Sequence, residues 1–274
     1  MKVQRLTSSI GAEVSGVDLA SELDASTVAA LRTALLDHLV LFFRDQELEG
    51  DQHVRFAERF GPISVPTFTT GSSTRPEIIV LDQVGPKGEG ADSWHADNTY
   101  MVEPPMASIL RAVQLPPVGG DTCFASMYAA YDALSPAMRC FLDRLTAVHD
   151  INVMVERTKH LANAGLRESA ARWPPVVHPV VRVHPETGRK LLNVNRNWTV
   201  RIEQLSPGES DALLEFLYRH LASPDFQCRF HWTKGAVAFW DNRVVQHYAV
   251  PDYTERRVME RVTVAGDRPY GISD

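Results

Sequence analysis

His95 and Asp97 stand two residues apart in Ser93-Trp94-His95-Ala96-Asp97-Asn98-Thr99-Tyr100, between a glycine-rich stretch and Pro104-Pro105. In an extended strand, residues i and i+2 emerge on one face, so an imidazole nitrogen and a carboxylate oxygen would lie close enough to share a metal ion. Two protein ligands rarely hold a catalytic metal, and alone the pair also reads as an exposed His and Asp on a strand. A third ligand is available. Trp240-Asp241-Asn242-Arg243-Val244-Val245-Gln246-His247-Tyr248-Ala249 reads as an apolar strand that ends in a polar turn and presents His247. Two histidines and one carboxylate cover one face of an octahedral metal and leave three positions open. Non-haem Fe(II) sites that bind a co-substrate and dioxygen together use this set. Zinc hydrolases can use it too, usually tetrahedrally and with a base nearby.

Shortly after His247 comes Arg256-Arg257-Val258-Met259-Glu260-Arg261. In a strand, Arg257, Met259 and Arg261 share a face. Two guanidinium groups facing inward are costly unless anions bind there, and the arginine fork pairs bidentately with carboxylates. One arginine for the distal carboxylate of 2-oxoglutarate and one for an anionic substrate is the functional reading. The alternative is a solvated basic strand edge.

The elements that must position these residues are strand-rich. Residues 3–20 suggest short strands or a hairpin, and Asp24 can cap a helix from about Ala25 to His38. Val40-Leu41-Phe42-Phe43 is an apolar strand. A second helix, about Asp51 to Phe60, turns Val54, Ala57 and Phe60 inward and leaves His53 off that stripe, in solvent. Ile78-Ile79-Val80-Leu81 and Met106 to Ala112 read as strands, followed by the turn Pro116-Pro117-Val118-Gly119-Gly120-Asp121-Thr122. Two helices follow, around Met127–Leu134 and Pro136–Leu145. Val176–His184 and Lys190–Val194 read as a hairpin about Pro185-Glu186-Thr187-Gly188. Ser206-Pro207-Gly208-Glu209 is a capping box opening a helix to about Leu221, with Leu213, Phe216, Leu217 and His220 or Leu221 facing the core. The last strands are Phe226–Trp232, Val237–Asp241 and Val258–Ala265. Helices fall between strand groups without βαβ alternation, which favours a mainly β fold, an antiparallel sandwich or jelly roll with α insertions. A glycine-rich loop before His95 and an aperiodic stretch over 151–175 suggest lids, near 63–93 and 151–175, on a single 1–274 domain.

With 274 residues and a net charge of −6 of interspersed sign, the chain has no nucleic-acid or polybasic membrane footprint. Cys123, Cys140 and Cys228 are widely spaced with no CxxC pair, as in a reduced, cytoplasmic protein. No apolar signal core or membrane-length run is present, so the expectation is an intracellular protein.

Trp94-His95-Ala96-Asp97, Gly119-Gly120-Asp121-Thr122, Trp240-Asp241-Asn242-Arg243 with His247-Tyr248-Ala249, and the arginine string through Gly266-Asp267-Arg268-Pro269 stand in this order. Together they resemble the taurine dioxygenase (TauD/TfdA) family of Fe(II)/2-oxoglutarate-dependent dioxygenases, nearly end to end. The resemblance implies a double-stranded β-helix (a cupin-like jelly roll) and His95, Asp97 and His247 as iron ligands. It also implies that Thr122 and Arg257 bind 2-oxoglutarate and that Arg261 binds the substrate anion. The implied chemistry hydroxylates an aliphatic carbon of a small anionic molecule (a sulfonate, sulfate ester, phenoxyalkanoate or other carboxylate) with O2 as co-substrate and succinate and CO2 as products. Family members often assemble as homodimers or homotetramers.

The interval from His247 to Arg257 is one residue shorter than in the taurine enzyme, so the turn at Pro251-Asp252 must differ. The substrate positions depart further. Pro66 and Ala91 fall where the taurine enzyme has a histidine and an asparagine, Val155 and Trp198 fall at or near its two pocket phenylalanines, and Asn98 replaces a small apolar residue. Losing two polar contacts while keeping Arg261 argues for an anion with a larger or more apolar body than taurine. The same departures also fit a differently shaped lid. Desaturation or cyclisation by a related oxygenase, a zinc hydrolase and a non-catalytic jelly-roll binding protein are the competing readings. Halogenation is disfavoured because Asp97 fills the halide position.

Overall fold

The computed structural model describes residues 1–65, 75–85, 92–159, 167–168 and 170–272. Its strands are β1 (Lys2–Arg5), β2 (Ala12–Ser15), β3 (Val40–Phe43), β4 (Ile79–Val84), β5 (Ala107–Gln114), β6 (Thr122–Ser126), β7 (Thr146–His149), β8 (Val176–Pro179), β9 (Val181–Val183), β10 (Lys190–Leu192), β11 (Thr199–Ile202), β12 (Gln227–Phe230), β13 (Val237–Asp241), β14 (Val245–Ala249) and β15 (Arg256–Val264). The helices among the described residues are α1 (Ala25–His38), α2 (Gly50–Glu58), α3 (Met127–Asp132), α4 (Pro136–Leu142), α5 (Asn152–Arg157) and α6 (Pro207–Leu221).

A seven-stranded sheet in the order β1-β2-β3-β13-β5-β15-β4 faces a three-stranded sheet in the order β12-β6-β14. One apolar cluster lies between them, with Phe42, Leu110, Trp240 and Met259 from the large sheet against Phe124, Phe230 and Val245 from the small one. Phe42 and Phe230 stack across the gap with ring centroids 4.0 Å apart. The outer face of the large sheet buries Leu41, Ile109, Phe239 and Val262 against Leu31 and Leu35 of α1 and Val54 and Ala57 of α2. Strands covered on both faces have no need of alternation, which is why Val40-Leu41-Phe42-Phe43 is apolar throughout. The Arg257-Met259-Arg261 face is the inner one, since Met259 belongs to the cluster between the sheets.

Local signals set the helix starts. The Asp24 side chain accepts from the Thr27 backbone amide at α1, and Ser206 with Glu209 forms the capping box at α6. The buried stripe of α6 is Ser210, Leu214, Leu217 and Leu221; Leu217 and Leu221 face the core as expected, Leu213 is only partly buried against it, and Phe216 is exposed. His53 is also a correction. It is fully buried and its Nε2 donates to the Ile109 carbonyl of β5 at 3.0 Å, because α2 packs on the outer face of the large sheet. The expected hairpin divides, with β9 pairing with β10 while β8 pairs with β7. Within the aperiodic stretch 151–175, Asn152–Arg157 forms a helix. Positions 66–74, 86–91, 160–166 and 169 of the expected lids lie outside the described residues.

Candidate active site

His95 and His247 meet as an antiparallel bridge. His95 N donates to His247 O at 3.1 Å and His247 N donates to His95 O at 2.8 Å. A hydrogen-bonded antiparallel pair projects its two side chains to one side, and here the ring centroids are 4.3 Å apart. β14 carries His247 because its register against β6 places it opposite Phe124.

Asp97 arrives differently from the expectation of one continuous strand. After the single bridge at His95 the chain turns through Asp97–Tyr100, with Asn98 at φ 53 and Met101 N donating to Asn98 O at 3.0 Å. Asparagine tolerates this left-handed conformation better than most residues. The turn is clamped by Asn242, which accepts from Asp97 N at 2.7 Å and donates to Asp97 O at 3.0 Å and Pro105 O at 3.1 Å. Asn242 sits between β13 and β14, so one side chain ties the Asp97 turn to the strand pair that delivers His247.

The three ligand atoms lie within 4.8 Å of one another, and all three residues are buried. His95 Nδ1 donates to the Ser93 carbonyl at 2.7 Å, which leaves Nε2 with its lone pair toward Asp97. Burial lowers the pKa of both histidines, that of His247 to about 3, with neighbouring His95 and Arg261 pushing the same way. Burial alone would raise Asp97, yet its surroundings, the Arg261 guanidinium foremost and the Ser108 hydroxyl among them, hold it down at about 2. Ser108 Oγ donates to Asp97 Oδ2 at 2.7 Å and Arg261 Nη1 donates to Oδ1 at 2.7 Å. Two neutral imidazoles and an ionised carboxylate are the protonation states a divalent cation requires. The all-N/O set suits Fe(II).

On the neighbouring stretch of β15, Arg257 is 5% exposed. Its Nε donates to the Gly120 carbonyl at 3.1 Å, while its buried Nη2 has no partner among the described residues. Burial lowers its pKa, only partly offset by Tyr253 and Asp121. A guanidinium edge desolvated without a carboxylate is costly, and a ligand carboxylate would satisfy it. Thr122, at the start of β6, is buried, and its Oγ1 accepts from Trp232 Nε1 at 2.9 Å, which leaves its own proton to donate.

Of the proposed substrate positions, the fold brings Trp198 and Val155 together in one apolar cluster with Tyr100, Ile151 and Met154. Trp198 Nε1 donates to Ala96 O at 3.0 Å, which sets the indole beside the ligand segment. Asn98 is half-buried in the Asp97 turn. Pro66 and Ala91 lie outside the described residues. Sequence reasoning missed Asn242 and Ser108 as supports of Asp97. The Trp240-Asp241-Asn242-Arg243 string was the available signal for the first, and none was available for the second.

The taurine catabolism dioxygenase TauD, TfdA family profile matches residues 2–263. An alkylsulfatase from Acinetobacter baylyi is 39% identical over 279 residues, covering 97% of this chain and 86% of that protein. An alpha-ketoglutarate-dependent sulfate ester dioxygenase from Pseudomonas putida is 39% identical over 287 residues, covering 99% and 92%. A crystal structure of a taurine dioxygenase from Burkholderia xenovorans superimposes with a TM-score of 0.84 at 39% identity, covering 98% of this chain and 92% of that one. The jelly-roll core and the His-Asp-His triad therefore have one explanation: the chain belongs to the TauD/TfdA family and is an Fe(II)- and 2-oxoglutarate-dependent dioxygenase.

Proposed function

We propose that His95, Asp97 and His247 hold the iron, that Arg257 and Thr122 hold 2-oxoglutarate, and that Arg261 seats an anionic substrate, best a sulfate ester with an aliphatic body. The observation that carries the substrate reading is Arg261. Its Nη1 is on Asp97, but its Nε is buried without a partner among the described residues. A cation so placed at the edge of the triad can take a substrate oxyanion, and the Trp198–Val155 cluster can take an apolar chain. The two sulfate-ester-acting relatives at 39% identity support the same class.

With Fe(II) bound, 2-oxoglutarate and O2 become succinate and CO2 while one oxygen atom enters a substrate C–H bond. The protein orients the reactants. Arg257 fixes the far carboxylate of 2-oxoglutarate, Arg261 fixes the substrate anion, and the aromatic cluster excludes water from the carbon to be oxidised. If that carbon bears the ester oxygen, the hydroxylated product collapses. Its O–H proton is lost, a C=O bond forms, and the C–O bond to sulfate breaks with its electron pair leaving on sulfate.

The test follows succinate and inorganic sulfate with alkyl sulfates, alkylsulfonates, phenoxyalkanoates and amino acids as substrates. Equimolar succinate, sulfate and aldehyde from alkyl sulfates is the expected result. Coupled turnover confined to another panel member would overturn the substrate class. Asp97→Ala should abolish substrate-dependent succinate formation, and full turnover by that variant would refute the ligand set. Arg261→Ala should weaken primary-substrate binding while uncoupled 2-oxoglutarate turnover persists.

Among the described residues no helix is long and apolar enough to cross a membrane, and all three cysteines are free thiols. The thiols support a reducing, cytoplasmic setting, and the family resemblance supports a homodimer or homotetramer. Light scattering on the purified protein tests the assembly.

A further inference from the structure

Asp252 has none of the roles assigned above, yet it touches the loop that positions Arg257. Gly120 N donates to Asp252 Oδ1 at 2.8 Å, and Gly120 O accepts from Arg257 Nε at 3.1 Å. The two backbone groups of Gly120 thus link the Asp252 carboxylate to the guanidinium. Both glycines of Gly119-Gly120 are needed for this approach. Gly119 has φ 80, and a Cβ there would lie 2.4 Å from Asp252 O. Gly120 has φ 73, and its Cβ would lie 3.1 Å from Arg257 Cδ. L-residues with side chains rarely adopt such backbone angles.

The turn is stitched down from both sides. Val250 N donates to Asp121 O at 2.8 Å. Arg229 spans the gap, with Nη2 on Asp252 Oδ2 at 3.1 Å and Nε on Asp121 Oδ2 at 2.7 Å.

We propose that Asp252 is a positioning residue for 2-oxoglutarate. By capping Gly120 N it fixes the residue whose carbonyl, in the next peptide unit, holds Arg257 Nε, and so fixes where Nη2 points. The inference rests on reading Arg257 as the 2-oxoglutarate anchor. Asp252 is itself partly exposed, so its removal leaves the core between the sheets in place.

The experiment titrates Mn(II)-loaded protein with 2-oxoglutarate by calorimetry, which reads binding without turnover. Asp252→Ala should weaken binding about fivefold, the size of one hydrogen bond. Asp252→Asn keeps the Oδ1 acceptor and should restore most of the affinity. Arg229→Ala removes a brace on the Asp252 carboxylate but leaves the Gly120 N bond in place, and should weaken binding less than Asp252→Ala. With Fe(II), Asp252→Ala should raise KM for 2-oxoglutarate and leave kcat at saturation unchanged. Equal affinities for wild type and Asp252→Ala would overturn the proposal, as would Asp252→Asn binding as weakly as Asp252→Ala. A parallel loss of Mn(II) affinity would overturn it too, because a role through Arg257 leaves the metal ligands alone. Arg257→Ala in the same titration separates the two readings. If it binds like wild type, the anchor assignment falls. If it binds weakly while Asp252→Ala does not, only the positioning role falls.

Discussion

Two buried arginines, Arg243 and Arg257, differ in what surrounds them. Arg243 is 7% exposed and Arg257 is 5% exposed. Arg243 closes on Asp241 through two bonds, Nε to Oδ1 at 2.9 Å and Nη2 to Oδ2 at 2.6 Å, and also reaches Glu186 at 2.8 Å. His184 Nε2 donates to the same Asp241 at 3.0 Å, completing the cluster. Arg257 has a peptide carbonyl and an Nη2 without a partner among the described residues. The pKa values follow. Burial opposes charge on both, but Asp241 and Glu186 drive Arg243 upward whereas Arg257 stays lowered. A buried charge with its own counter-ions belongs to the architecture; a buried charge without one marks where an anionic ligand completes the structure.

The sharpest way to break this contrast is to truncate both arginines. Arg243→Ala strands Asp241 as a buried charge and should cost about 3–5 kcal/mol of folding stability, read by denaturant unfolding. Arg257→Ala strands no charge and leaves only the Gly120 carbonyl without its donor, so its unfolding midpoint should stay close to wild type. Its effect should appear in 2-oxoglutarate binding, weakened by about 2–3 kcal/mol, or roughly 30- to 150-fold, in an anaerobic titration of the Fe(II) charge-transfer band. A stability loss in Arg257→Ala equal to that in Arg243→Ala would erase the distinction.

The closed cluster also predicts an acid limit. Burial raises the Asp241 pKa, but Arg243 and His184 depress it well below its ordinary value. A depressed carboxylate contributes stability that is complete above the unfolded value of about 3.9 and is lost as pH falls below it. The melting temperature should therefore drop more steeply below about pH 4 in wild type than in Asp241→Asn. Next in size is Ser108→Ala, which removes one hydrogen bond from Asp97 and should reduce metal affinity about tenfold by competition with a chelator. The smallest effect belongs to Arg256, adjacent to Arg257 but pointing outward to Asp82 at 2.6 Å with both groups exposed. Arg256→Ala should leave stability and 2-oxoglutarate binding unchanged.

The candidate residues for metal and co-substrate were legible because the chemistry demands particular side chains. An Fe(II) site open to two reactants calls for histidines and a carboxylate, and a dicarboxylate calls for an arginine on an inward face. His95, Asp97, His247, Arg257 and the capping residues Asp24 and Ser206 could be named from type and spacing. Local patterns could not say how Asp97 is held, because its supports Ser108 and Asn242 are 11 and 145 residues away. They misjudged His53 because solvent exposure off a helix stripe assumes nothing lies on that side, and β5 does. The sequence by itself determined which atoms are available to react. Only the tertiary structure decided which charges are satisfied and which are left open, since a counter-ion's distance along the chain bears no relation to its distance in space.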